Sequence, residues 1–182
     1  LNTQDMFFEP AVSENGENKV LSMKLKASED RYLEYRYELK PDDYMVDFTI
    51  RSVNLGTVLN TSKPVQLDWK LKGIRQAKSV TYENRYTRLT YQYENGDEID
   101  KLSPSGSDEE TEEDVKWISY RQHFFSSIMV ADSIFKKATL ASEDYVDNEE
   151  DENTRFTKGY STSIPLVIEG GELNRKLKWY YG

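Results

Sequence analysis

Any chemistry in this chain has to be done with few reactive side chains. It has no cysteine and one histidine, His123. Imidazole is the side chain whose ordinary pKa suits proton transfer near neutrality, so His123 is the first candidate for an acid or base. A two-histidine catalytic or metal arrangement within the chain is excluded, as are thiolate zinc, iron–sulfur and thiol chemistry. Ser126-Ser127 lies nearby but has no Gly-x-Ser-x-Gly elbow and no adjacent base. The nine glycines are scattered and form no phosphate-cradling loop. Trp69, Trp117 and Trp179 could stack against a sugar or peptide. Trp69 and Trp179, however, fall on the apolar side of clean alternations, and Trp117 shares its side with Val115, which predicts core positions for all three. Beside Phe124 and Phe125, His123 likewise reads as a packed, hydrogen-bonded residue of the fold. Asn60-Thr61-Ser62 matches a glycosylation acceptor, a pattern short enough to arise by chance.

The elements that position these residues are bounded by length and charge. The 182 residues suffice for one sizeable core without disulfide or metal. Acids outnumber bases 33 to 24, for a net charge of −9, which argues against a sequence-independent grip on nucleic acid. Much of that acidity is local. Ser107 to Asp114 holds six acids and Glu143 to Glu152 seven, leaving 20 acids against 24 bases elsewhere. Like-charge runs repel and bury nothing, so both segments (near 104–114 and 143–153) are expected to be exposed, mobile loops. Neither carries the alternating ligands and turn glycine of an EF-hand calcium loop. The longest apolar stretch, around Ile128 to Ala131, is far below the roughly 18 residues of a spanning helix. The chain opens on Leu1 with no basic-then-apolar leader, as expected of a fragment or processed product.

Apolar residues recur with a period of two. Leu21, Met23, Leu25 and Ala27 alternate with polar neighbours, as do Leu33, Tyr35, Tyr37 and Leu39. Val46, Phe48 and Ile50, then Val65, Leu67, Trp69 and Leu71, repeat the pattern, and Leu173, Leu177, Trp179 and Tyr181 close it. Such alternation puts one face of a strand on a core and the other in water. Ser28 to Asp30, Pro41-Asp42-Asp43 and Gly170-Gly171 supply turns, and Asn95-Gly96 predicts a type I′ hairpin between Leu89–Glu94 and Glu98–Leu102. Ile74 to Arg85 breaks the pattern and predicts a short helix or irregular crossover. From Val115 to Ala141 the apolar residues become dense enough for strands covered on both faces. The prediction is an all-β, mainly antiparallel domain over residues 1–182, about ten strands in two packed sheets with little helix.

The dense centre also carries a resemblance. Asp114 to Ser127, with Trp117 followed by Gln122-His123-Phe124-Phe125, resembles a segment of the large periplasmic domain of YidC-type (Oxa/YidC/Alb family) membrane protein insertases. Ile164-Pro-Leu-Val-Ile, running to Leu177-Lys-Trp-Tyr-Tyr-Gly182, is similar to that domain's last strands, and Asn2 to Phe8 resembles a further segment, in the same order. The resemblance implies a β-supersandwich related to galactose-mutarotase-like folds, on the periplasmic face of the bacterial inner membrane, in a parent anchored by membrane spans. Against the family pattern, strands upstream of Leu1 are missing, which predicts an open sheet edge prone to pair with another chain.

The family carries Trp117, Gln122, His123, Phe124 and Phe125 without giving them catalysis, so these motif residues are expected to be structural. Implied partners are components of the Sec translocon and nascent membrane proteins, with no cofactor, no metal and no enzymatic activity. Two alternatives stay open: a carbohydrate-binding sandwich, and a mutarotase-like sugar-processing enzyme. The second normally needs a histidine pair with a glutamate, and only His123 is present.

Overall fold

A computed structural model describes residues 2–56, 64–146 and 154–182. Eleven strands run through the described residues: β1 (Glu9–Asn15), β2 (Asn18–Ser28), β3 (Arg31–Leu39), β4 (Met45–Val53), β5 (Val65–Ile74), β6 (Arg88–Tyr93), β7 (Glu98–Lys101), β8 (Asp108–Arg121), β9 (Ser126–Asp144), β10 (Phe156–Leu166) and β11 (Asn174–Tyr181). Helix among these residues is limited to α1 (Val80–Asn84) and two three-residue 3-10 turns. The fold is all-β, and the alternating segments form strands where the period of two predicts them. α1 occupies the stretch that broke the pattern. Asn60-Thr61-Ser62 and most of the second acidic run lie outside the described residues.

The chain divides into two compact units, the first comprising Leu1–Val65 with Leu166–Trp179. Within it the strand order is β1-β2-β3-β4-β11, with the first four antiparallel. Val20, Phe48, Ile50, Leu55, Leu173, Leu177 and Trp179 are buried. Phe48 stacks on Tyr37 at 4.5 Å and meets Trp179 at 6.3 Å, so Trp179 is a core residue as its alternation predicts. β1 is a strand the hydrophobic pattern does not announce. All seven of its residues are exposed, so no alternation marks it. The available signal was Asn15-Gly16, a hairpin dipeptide at the β1–β2 turn where Gly16 takes φ 61°.

The second unit comprises Gln66–Pro165 with Tyr180–Gly182, in the order β7-β6-β8-β9-β10-β5. Its centre is the β8–β9 pair, where Val115, Ile118, Met129, Ala138 and Leu140 are fully buried. Trp69 stacks face to face on the buried Tyr120, with centroids 3.7 Å apart. The β6–β7 hairpin exists, but its loop is longer than a two-residue type I′ turn. Tyr93 faces Glu98, and Glu94, Asn95 and Gly96 all take positive φ between them. β10 begins at Phe156, well before Ile164, because polar Thr157, Lys158 and Thr162 are buried along it.

Two readings from the sequence need correction. The first acidic run, expected as a loop, is the opening half of β8. Its charges alternate: Glu109, Thr111 and Glu113 are exposed, whereas Asp108, Glu110 and Glu112 are half-buried. Glu110 and Glu112 lie opposite the fully buried Leu140 and Ala138, so these carboxylates share the inward face. Charge repulsion is overcome because pairing to β9 and specific partners hold the strand. The Tyr91 hydroxyl donates to Glu110, and the Ser103 amide donates to Asp108 Oδ2 at 2.7 Å. The second correction concerns Trp117. Val115 faces Phe135, but Trp117 faces Val130 rather than the Ser133 of unbroken pairing. This odd slip inverts the inside–outside parity, so Val115 and Ile118 are both buried while Trp117 is half-buried on the other side.

Candidate functional site

The turn between β8 and β9 gathers the rest of the motif. Arg121 faces Ser126, and the Gln122 amide donates to the Phe125 carbonyl at 2.7 Å, leaving His123, Phe124 and Phe125 at the tip. Against this tip lies α1, whose N-cap Ser79 accepts from the Tyr82 amide at 3.2 Å. Val80 and Glu83 point inward and are buried. The Glu83 carboxylate accepts from the Gln76 and Ala77 amides at 2.9 and 2.8 Å, which ties the helix to the preceding crossover. With those two residues inside, Tyr82 and Tyr86 project outward.

The imidazole of His123 meets Tyr82, Tyr86 and Phe124 edge-on, with centroids 5.3, 5.0 and 4.1 Å away. Its Nδ1 is buried and meets no hydrogen-bond partner, so the expected packing is present without a bond at that nitrogen. The Glu83 carboxylate on α1 is committed to the Gln76 and Ala77 amides. The Tyr82 phenol is pushed up, first by its bond to Tyr86 and then by the charge and burial around it. Phe124 and Phe125 are 63% and 54% exposed. The motif therefore splits: Gln122 and His123 are half-buried, Trp117 lies along β8, and the two phenylalanines stand in solvent.

Other polar groups are spent on holding strands. Glu38 of β3 accepts from Asn15 and Asn18 at 2.9 and 2.7 Å, one residue from each end of the β1–β2 turn, and pairs with Arg36 at 2.6 Å. The Asn18 bond, then those from Arg36 and Asn15, hold its carboxyl down at about 2. Buried Glu34 accepts from Ser22 at 2.5 Å and from Arg51. Lys158 is buried with its Nζ on the Pro104 carbonyl and 3.5 Å from Asp144. Glu112 goes the other way. Burial, and then the charges of Glu110, Asp100 and Glu94, push its carboxyl up. No group of three or more His, Asp or Glu able to hold a metal occurs among the described residues.

Two further surfaces stand out among the described residues. A shallow recess of about 280 Å³ is lined by Lys72, Tyr145, Thr154, Arg155 and Phe156. Lys72 lies over the Tyr145 and Phe156 rings and Arg155 over Phe156, so cations already cover the aromatic faces a sugar would use. The other is β1, at the end of the strand order with β2 as its only sheet partner among the described residues. Among the described residues no strand pairs with its outer row of N–H and C=O groups, and Val12 is 78% exposed.

Antiparallel strands of this kind, with little helix among the described residues, define a domain of the all-β class. The family model described as the YidC periplasmic domain matches residues 2–182, and the chain belongs to that family. It therefore lies on the periplasmic side of the inner membrane. It is 31% identical over its full length to the membrane protein insertase YidC of Bacteroides fragilis, of which it spans 28%. It is 33% identical to that of Parabacteroides distasonis, again over its full length and 28% of that protein. The insertase of Phocaeicola vulgatus is 29% identical over 99% of the chain. The described residues contain no helix long and apolar enough to cross a membrane.

Proposed function

We propose that the chain serves as the non-catalytic extramembrane domain of a membrane protein insertase, aiding insertion by binding extended polypeptide along the open edge of β1. The partners are components of the Sec translocon or emerging periplasmic segments of client proteins. The observation that carries this reading is the edge itself: a seven-residue strand, exposed throughout, whose only ladder among the described residues is to β2. Main-chain hydrogen bonds along such an edge supply affinity for many sequences, which suits a domain serving varied clients. The relatives' name, membrane protein insertase, supports the setting. The carbohydrate reading gains no support from the described lining of the recess, which is Lys72, Tyr145, Thr154, Arg155 and Phe156.

Alternate N–H groups of an edge strand point outward, so Ala11→Pro and Val12→Pro remove donors on opposite sides of β1. Placed in the full-length insertase, the variant that removes an outward donor keeps its thermal unfolding profile and loses client or translocon co-purification. Wild-type levels of capture by both variants would refute the reading.

A further inference from the structure

The aromatic corner at the β8–β9 turn has a chemistry that the edge-strand reading does not use. Tyr82 and Tyr86 are 48% and 36% exposed, Phe124 and Phe125 more so, and His123 joins the first three into one continuous ring cluster. Buried anchors fix this corner in place. Val80, Glu83 and Thr87 are each about 1% exposed, and the Thr87 hydroxyl donates to the Glu83 carbonyl at 3.0 Å. The apolar rings are thus held outward on a rigid support.

Its charge differs from the rest of the chain. Residues 77–88 and 119–127, which build the corner, contain Lys78, Arg85, Arg88 and Arg121 against a single acid, Glu83. Glu83 is buried on backbone amides, whereas Lys78, Arg85 and Arg121 are exposed. Arg88 faces Arg121 in the β6–β8 ladder and donates to the Arg85 carbonyl at 2.5 Å, which sets the backbones of the three arginines beside one another. A chain of net charge −9 therefore presents exposed tyrosine, phenylalanine and arginine together, with no exposed acid among them. Amphipathic aromatic rings favour the headgroup level of a bilayer, and juxtaposed cations favour anionic lipid.

We propose that this corner (Tyr82, Arg85, Tyr86, Arg121, Phe124 and Phe125) docks on an anionic phospholipid surface, holding the domain against the membrane. Charge complementarity and the periplasmic, membrane-side setting of the family select lipid as the occupant. The proposal uses a surface separate from β1 and does not depend on edge binding.

Vesicle co-sedimentation of the 182-residue chain tests it, with phosphatidylglycerol in phosphatidylethanolamine compared with pure phosphatidylcholine. The chain is expected to prefer the anionic vesicles, and the preference to collapse at high salt. Arg85→Glu with Arg121→Glu should weaken binding about tenfold or more. Phe124→Ser with Phe125→Ser should weaken it severalfold with thermal unfolding unchanged, since both rings are exposed. As a measurement that leaves the surface intact, Phe124→Trp should show blue-shifted emission, quenched by brominated lipid, on anionic vesicles only. Ala11→Pro and Val12→Pro should bind vesicles as the parent chain does. Equal sedimentation with both vesicle types, or binding indifferent to the arginine and phenylalanine variants, would overturn the proposal. So would photo-crosslinks from Phe124 that reach protein while lipid binding is absent.

Discussion

β1 and the β8–β9 pair are both antiparallel β-structure, but they are held in opposite ways. β8 and β9 are secured by burial: Val115, Ile118, Met129, Phe135 and Leu140 are at most 2% exposed. β1 buries nothing, and is held by its ladder to β2 and by polar pins. Glu38 grips both ends of its turn, while Lys19–Glu14 and Lys26–Glu9 pairs lie along it. A strand secured by burial is a scaffold, because moving it opens a cavity. One secured by exposed ladder bonds keeps its other edge available to a partner. The carboxylates follow the same division. Glu38 is favoured in its charged form, whereas Glu112, drawn inward on β8, is disfavoured in it.

Substitutions sharpen this contrast, beginning with the scaffold. Phe135→Ala should cost about 3–5 kcal/mol in denaturant unfolding. Glu38→Gln should cost about 1–3 kcal/mol, and hydrogen exchange should accelerate first at the β1–β2 turn. Its pH dependence has a definite sign. Glu38 has a folded-state pKa of about 2, below its ordinary 4.5. Its contribution is therefore complete above that ordinary value and fades as pH falls toward 2. The Gln variant should flatten the acid limb of a stability–pH curve.

Tyr120→Phe removes a hydroxyl that bonds Thr162 Oγ1 at 2.6 Å and the Trp69 carbonyl at 3.0 Å, and should cost about 1–2 kcal/mol. Glu112 runs opposite to Glu38. With its folded pKa raised, its favourable contribution is full below the ordinary value and is lost as pH rises through the raised one. Glu112→Gln should thus be neutral to slightly stabilising at pH 7, within about 0.5 kcal/mol. A destabilised Gln variant would show that β8 needs the charge. Val12→Ala, on the open strand, should change stability by less than about 0.5 kcal/mol.

The scaffold was legible in the sequence because burial of one face leaves an imprint of period two. Leu33 to Leu39 and Val65 to Leu71 both show it. β1 left no such imprint, since Glu-Pro-Ala-Val-Ser-Glu-Asn faces water on both sides. The acidic half of β8 was hidden differently. Six acids in eight residues read as a solvated loop, and nothing local shows that Tyr91 and Ser103 receive Glu110 and Asp108. Trp117 was misplaced because the slip between Val115 and Trp117 is a property of β9's pairing, which side-chain types do not encode. The aromatic corner was half visible. His123, Phe124 and Phe125 stood out as neighbours, but their meeting with Tyr82 and Tyr86 depends on the packing of α1.

The most direct test of the central claim places a photo-crosslinking residue at Val12 on the open strand, and in a second protein at Leu39, exposed on β3 but paired on both sides, to Lys19 of β2 and Val46 of β4. In the full-length insertase during active membrane-protein synthesis, Val12 should capture translocon or client polypeptide and Leu39 should not. Equal capture at both positions, or none at Val12, would contradict the account.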